Sequence, residues 1–158
     1  MLHNMKDKVY HCEYTNPVPR RDRDVLLAYK DGAVLSSETA LPRLSEVSED
    51  VPLQFLFAIS DVNFYLPLTA LSETDVLHYR EIRTLRAKLP QWQAFAMVTG
   101  LHLDTWYRDH RYCGRCATPL THKNDERALV CPECGHIIYP DIAIAVIVGI
   151  RDGERMIL

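Results

Sequence analysis

Cys113-Gly114-Arg115-Cys116 and, fourteen residues further on, Cys131-Pro132-Glu133-Cys134-Gly135 decide how this chain is read. Each Cys-x2-Cys turn sets two thiolates on one side of a metal. The stretch between them, with Pro119 and polar turn residues, can form a hairpin that returns the second pair opposite the first. Zinc takes four soft ligands in a tetrahedron, so the spacing predicts a zinc ribbon on Cys113, Cys116, Cys131 and Cys134. Spacing alone leaves iron open as the occupant. Four cysteine ligands close the coordination sphere, so the metal folds the ribbon and is not a catalyst. A redox dithiol needs only one such pair, usually opening a helix in a thioredoxin-like unit, and that context is missing here. Gly114 and Gly135 are expected to relax the backbone at the two turns. His110, His122 and His136 read as surface residues, because no cysteine ligand is lacking.

Beyond the ribbon, Tyr139-Pro140-Asp141 leads into an apolar run at 142–150, rich in branched residues, that reads as a strand buried on both faces. Asp152-Gly153 then signals a hairpin to a return strand at 155–158. One partner is few for so apolar a strand, so the sequence is expected to stop inside a domain, as a truncated protein or an excised piece. Before the ribbon, Trp92, Phe95, Ala96, Thr99, Leu103 and Trp106 recur at helical spacing after Pro90, which suits a first turn. Gly100 within that pattern costs on the order of 1 kcal/mol relative to alanine and points to close packing. A further helix is expected over 77–89, ending by Pro90.

The first seventy or so residues alternate strand-like runs with turn signals. Asp31-Gly32 separates two apolar runs, and Ser60-Asp61-Val62 splits 53–59 from 63–68, so two hairpins of an antiparallel sheet are expected. Segment 36–52 reads as a loop or short helix. Cys12 reads as a small buried hydrophobe in a strand at 9–14. The expected fold class is α+β: an antiparallel sheet with helices, then a small rubredoxin-like ribbon.

Composition bounds the rest. The 158 residues are 47% hydrophobic and 25% charged, with a formal charge of -3 and a pI near 6.1. That balance describes an ordinary globular chain and lacks the cationic excess of a dedicated phosphate-gripping domain. No apolar run is long enough for a membrane helix and the N-terminus has no signal-peptide pattern, so a cytoplasmic location is expected.

The run from Trp106 through Tyr112 to Cys113-Gly114-Arg115-Cys116, the second cysteine pair at the right distance, and Tyr139-Pro140 before an apolar strand closely resemble the bacterial NADH pyrophosphatases of the Nudix hydrolase superfamily. The resemblance implies an N-terminal Nudix-like domain at 1–108, the ribbon at 109–140 and the first strands of a Nudix domain at 141–158. It implies hydrolysis of NADH or NAD to nicotinamide mononucleotide and AMP, removal of NAD caps from RNA in some members, and assistance by magnesium or manganese. It also implies that Glu126 and Tyr139 face the dinucleotide and that an arginine of 80–86, with Arg83 the best match, approaches a phosphate. Read by residue type alone, Glu126 is a solvated hairpin charge and Tyr139 a ring covering the apolar strand. The sequence departs from the family at the catalytic motif. No Arg-Glu-x2-Glu-Glu occurs; after Arg80-Glu81 the glutamate positions hold Thr84 and Leu85. The carboxylates that would hold the divalent cation are therefore missing, and the chain alone is expected to be inactive.

Two other readings stand beside this one. Arg108, Arg111, Arg115, Lys123 and Arg127 could make the ribbon a nucleic-acid or protein docking module, but Asp109, Asp125, Glu126 and Glu133 interleave with them. A scaffold for homodimerisation is the other, since the resembled enzymes commonly pair.

Overall fold

Two apolar runs separated by a tight turn build the central ladder of the computed structural model, which describes residues 5–15, 17–141, 146 and 148–157. β5 (Leu53–Ile59) pairs antiparallel with β6 (Val62–Pro67), and Ser60 turns the chain with φ 52. β1 (Tyr10–His11) flanks β5 and β2 (Val25–Leu26) flanks β6, giving the order β1-β5-β6-β2. β2 runs parallel to β6, an exception to the expected antiparallel pattern. Its position is fixed by the buried Asp24 carboxylate, which accepts hydrogen bonds from the Asn63 backbone and side chain. The other predicted hairpin forms β3 (Tyr29–Lys30) and β4 (Ala33–Ser36) around Asp31 and Gly32, at φ 50 and 77. The segment 36–52 is mostly loop, with one 3-10 turn at Leu44–Glu46.

The predicted helix over 77–89 is replaced by two elements. β7 (His78–Glu81) completes the second sheet, in the order β3-β4-β7, and α1 (Ile82–Arg86) follows it. The edge of β4 takes up the backbone groups of 78–81, which removes the need for helical hydrogen bonds there.

α2 (Gln91–Asp109) begins after Pro90 as expected. Its buried residues include Ala94, Ala96, Met97, Gly100 and Trp106, whereas Trp92, Phe95 and Leu103 pack half-buried at the sides. The seam is thus shifted from the expected aromatic stripe toward small residues, which let the helix lie close to the sheet. A Cβ on Gly100 would meet Leu27 Cδ1 at 2.5 Å and the Tyr29 hydroxyl at 2.6 Å. That hydroxyl donates to the Met97 carbonyl at 2.6 Å.

Both faces of the first sheet are covered. Leu27, Phe57, Phe64 and Met97 belong to the cluster under α2, while Leu26, Phe55 and Tyr65 form a second cluster. The register irregularity between Phe55 and Phe57 brings Leu56 and Phe57 into the same cluster. Cys12, expected to be buried, is exposed, because β1 ends at His11 and the chain leaves the sheet there.

The ribbon forms a small sheet of β8 (Thr121–His122), β9 (Leu129–Val130) and β10 (Ile137–Ile138), in the order β10-β9-β8. The predicted second hairpin follows: β11 (Ile150–Asp152) pairs with β12 (Arg155–Ile157) around Gly153. Of the expected buried strand at 142–150, residues 142–145 and 147 lie outside the described residues. Val146, Val148 and Ile150 are exposed, since among the described residues β11 pairs with β12 alone. No helix among the described residues is long and apolar enough to cross a membrane.

Candidate metal centre

The two Cys-x2-Cys turns are built alike. The N–H of Cys113 donates to the Thr118 carbonyl at 2.8 Å, and the N–H of Cys131 donates to the His136 carbonyl at 2.9 Å, each five residues on. Within each turn the fifth residue donates back to the first: Ala117 to Cys113 at 2.8 Å and Gly135 to Cys131 at 3.0 Å. Both fifth residues are left-handed, Ala117 at φ 60 and Gly135 at φ 69. The conformational role expected of Gly114 therefore falls to Ala117, and only Gly135 has the anticipated freedom. The N–H of Arg115 points at Cys113 Sγ and that of Cys134 at Cys131 Sγ, at 3.4 and 3.5 Å.

These turns bring all four sulfurs within 4.8 Å of one another. Separations of 3.6 Å between Cys113 and Cys134, 3.4 Å between Cys116 and Cys131, and 3.7 Å between Cys116 and Cys134 are far too long for disulfides. They approach the edge of a tetrahedron with zinc–sulfur bonds of about 2.3 Å, which is about 3.8 Å. Cys113 and Cys131 are buried while Cys116 and Cys134 are exposed, so the centre lies at the edge of the ribbon. Its electrostatics call for a cation. Hydrogen bonds from Thr118 push Cys116 down to about 6. The His136 N–H favours the Cys134 thiolate, yet the neighbouring sulfurs together push that thiol up to about 12. Four thiolates cannot be charged together in this volume without a dication among them. The donor set and geometry fit a structural zinc ion, which would neutralise the sulfurs and lock the two turns together.

Glu126 and Tyr139, drawn from the sequence as dinucleotide contacts, are brought together. The Tyr139 hydroxyl donates to Glu126 Oε1 at 3.1 Å, and Lys123 Nζ donates to the same oxygen at 2.6 Å. Glu126, and then Asp125, push Lys123 up to about 12. Sequence reasoning counted Lys123 only as a surface charge, although its three-residue spacing from Glu126 in a hairpin loop was the available signal. Arg127, read only as one of the cations flanking the ribbon, takes a structural role. Its guanidinium donates to the Leu56 carbonyl of β5 and lies 5.9 Å from the Tyr14 ring, tying the ribbon to the first sheet.

Arg83 is not brought to this pair. It is exposed on α1 and makes no hydrogen bond or ion pair among the described residues. Arg80, on β7, instead lines a cavity of about 270 Å³ with Tyr79, Thr84 and Lys88, and with the acids Glu38 and Glu81. Its Nε is buried without a hydrogen-bond partner. His110 and His122, read as plain surface residues, contact rings of α2. His122 packs on Tyr107 at 4.8 Å, and His110 Nδ1 meets the Trp106 carbonyl at 2.8 Å.

This ribbon is of the NADH pyrophosphatase type: residues 108–139 match the family described as NADH pyrophosphatase zinc ribbon domain. The similarity extends to whole proteins named NAD-capped RNA hydrolase NudC. That of Chromobacterium violaceum is 35% identical over 77 residues, covering 49% of this chain and 29% of the relative. That of Haemophilus influenzae is 30% identical over 115 residues, 71% and 43% respectively. That of Pseudomonas fluorescens is 29% identical over 133 residues, 81% and 48%. The chain spans less than half the length of these relatives, and it belongs with the NADH pyrophosphatase-like proteins.

Proposed function

We propose that this chain is the dinucleotide-facing, non-catalytic portion of an NAD(H) diphosphatase, with Glu126 and Tyr139 contacting the dinucleotide. The observation that carries this reading is the 3.1 Å hydrogen bond between those two side chains, within a ribbon of NADH pyrophosphatase type. With the phenol proton committed to Glu126 Oε1, Glu126 Oε2 and the Tyr139 oxygen offer acceptors for ribose hydroxyls or a base edge. Within 80–86, Arg83 is the arginine proposed to approach a phosphate, with Arg80, which lines a cavity and whose Nε has no hydrogen-bond partner, as the alternative. The reaction cleaves the diphosphate by attack of water on phosphorus, giving nicotinamide mononucleotide and AMP. Magnesium or manganese would neutralise the diphosphate in the complete enzyme. This sequence has no Arg-Glu-x2-Glu-Glu to hold such a cation, so the chain alone does not hydrolyse. Domains at 1–108, 109–140 and 141–158, NAD-capped RNA as a further substrate, homodimerisation and a cytoplasmic setting belong to the same proposal.

The docking-module reading is less well supported. Of the five cations around the ribbon, Arg108 pairs with Asp104 at 2.9 Å, Lys123 with Asp125 and Glu126, and Arg127 with a main-chain carbonyl. Arg111 and Arg115 alone do not make a phosphate track over the ribbon.

Titration of the zinc-loaded chain with NAD, followed by saturation-transfer NMR, tests the proposal. Glu126→Gln, Tyr139→Phe and one of Arg83→Ala and Arg80→Ala should each weaken binding by about tenfold, roughly one lost charged hydrogen bond. Absence of NAD binding by the unmodified chain, or AMP release by it with manganese, would overturn the corresponding part.

A further inference from the structure

Glu126 sits in the bent segment 124–127 between β8 and β9, where no ladder of backbone hydrogen bonds fixes the direction of a side chain. Lys123 is placed differently. It directly follows β8, and its N–H donates to the Ala128 carbonyl at 3.0 Å, so its backbone extends the β8–β9 ladder by one step. From that anchored position its ammonium reaches Glu126 Oε1 at 2.6 Å and the two carboxylate oxygens of Asp125 at 3.0 and 3.2 Å. The hairpin does not need this side-chain clasp to close. The bond from Lys123 to Ala128, and a second from the Ala128 N–H to the Glu126 carbonyl at 2.9 Å, close it through the backbone. What the ammonium does fix is the carboxylate. Together with the Tyr139 hydroxyl it holds Oε1, while Oε2 accepts no hydrogen bond among the described residues. The contact is also the more sheltered at its cationic end, since the Lys123 side chain is 24% exposed against 39% for Glu126. Charge-assisted bonds of this length are the stronger kind, and shelter reduces the competition from water.

The geometry points to Lys123 as a positioning residue for the dinucleotide: it holds Glu126 by Oε1 so that Oε2 is kept in place to accept from a ribose hydroxyl or a base edge. Lys123 itself does not touch the ligand. A loop carboxylate left alone samples several rotamers and must give up that freedom when it binds, whereas one already held by a strand-anchored ammonium has little left to lose. The ligand in this inference is the one in the proposed function, and in that respect it rests on that reading. What it adds is that the affinity conferred by Glu126 depends on a residue three positions earlier that makes no contact with the dinucleotide.

NAD titration of the zinc-loaded chain by saturation-transfer NMR tests it, with the lysine ammonium signals of isotope-labelled chain recorded on the same samples. Lys123→Met should weaken NAD binding about fivefold, and Lys123→Arg should restore most of the affinity. In a double-mutant cycle, Lys123→Met added to Glu126→Ala should weaken binding no further, because nothing is left to position. The Lys123 ammonium signal should shift in Glu126→Ala. Zinc content and the thermal midpoint verify that each variant is folded. The inference is overturned if folded Lys123→Met binds NAD as the unmodified chain does, or if the ammonium signal is the same with and without the Glu126 side chain. It is equally overturned if Lys123→Met costs as much in the Glu126→Ala background as alone, which would make Lys123 a direct ligand contact. Binding lost in Glu126→Ala but kept in Lys123→Met removes this inference and leaves the proposed function standing. Binding absent from the unmodified chain, or unaffected by Glu126→Ala, removes the proposed function and this inference with it.

Discussion

Tyr139 donates its hydroxyl proton to Glu126 Oε1 at 3.1 Å across thirteen residues of ribbon, and Lys123 converges on the same oxygen at 2.6 Å. The hydrogen bond to Glu126 is the first cause that raises the phenol's pKa, because ionised Tyr139 would face a carboxylate. Tyr139 is nevertheless 51% exposed, and water replaces a lost partner readily there. Tyr139→Phe should therefore leave the ribbon's unfolding midpoint in denaturant titration nearly unchanged. A large fall in the midpoint would make the pair a structural clasp and weaken its case as a ligand contact.

The metal centre should respond to pH through proton release. Without metal, Cys116 is held at about 6 and Cys134 at about 12. At pH 7.5 the first is largely thiolate already, whereas the second must give up its proton when zinc binds. Zinc uptake should accordingly release protons, and affinity should fall as pH drops through the range in which Cys116 takes up its own proton. Calorimetry in buffers of different ionisation enthalpy measures both. Chelation, or Cys131→Ser, should melt the β8–β10 sheet while leaving the α2 core folded, since both large apolar clusters lie outside the ribbon. One zinc per chain by native mass spectrometry is expected; iron would correct the metal.

The two cysteine turns differ where their geometry is most alike. Gly135 and Ala117 occupy equivalent left-handed positions, at φ 69 and 60. An L-residue in that region costs roughly 1–2 kcal/mol, partly offset by the greater unfolded freedom of glycine. Ala117→Gly should thus stabilise the zinc-loaded ribbon by up to about 1 kcal/mol, read as slower zinc loss to a chelator. Gly135→Ala should have the opposite effect, with faster loss.

What the sequence made legible follows from the range of the interactions involved. The ribbon, the Asp31-Gly32 and Ser60-Asp61 turns and the helix after Pro90 are written in local spacing, and they form as read. Segment 77–89 was misassigned because its apolar residues fit a helix, while the free edge of β4 that claims His78–Glu81 is more than forty residues away. That one error also hid Arg80, whose cavity exists only once β7 is a strand. Cys12 was judged by residue type, yet its exposure depends on where β1 leaves β5. Gly100 was legible as a sign of close approach; that Leu27 and Tyr29 are what it approaches was not.

Asp24 is the plainest case of a residue whose sequence neighbourhood conceals its role. It is flanked in sequence by Arg20, Arg21 and Arg23, and its side chain is fully buried. Oδ1 accepts from Arg20 Nη2 at 2.9 Å and from the Asn63 N–H at 3.1 Å. Oδ2 accepts from the Arg20 N–H at 2.8 Å and from Asn63 Nδ2 at 3.1 Å. All four bonds converge where β2 meets β6, so the carboxylate sets the parallel pairing that carries Leu26 and Leu27 into opposite clusters. Asp24→Ala leaves the Asn63 donors partly buried and unpaired, and it should cost about 3 kcal/mol or more in urea unfolding. Arg20→Ala removes one donor and leaves the other three, and the Arg20 side chain is already 42% exposed, so its cost should be nearer 1 kcal/mol. Equal costs for the two substitutions would mean that the ion pair, and not the carboxylate's grip on Asn63, holds β2 against β6.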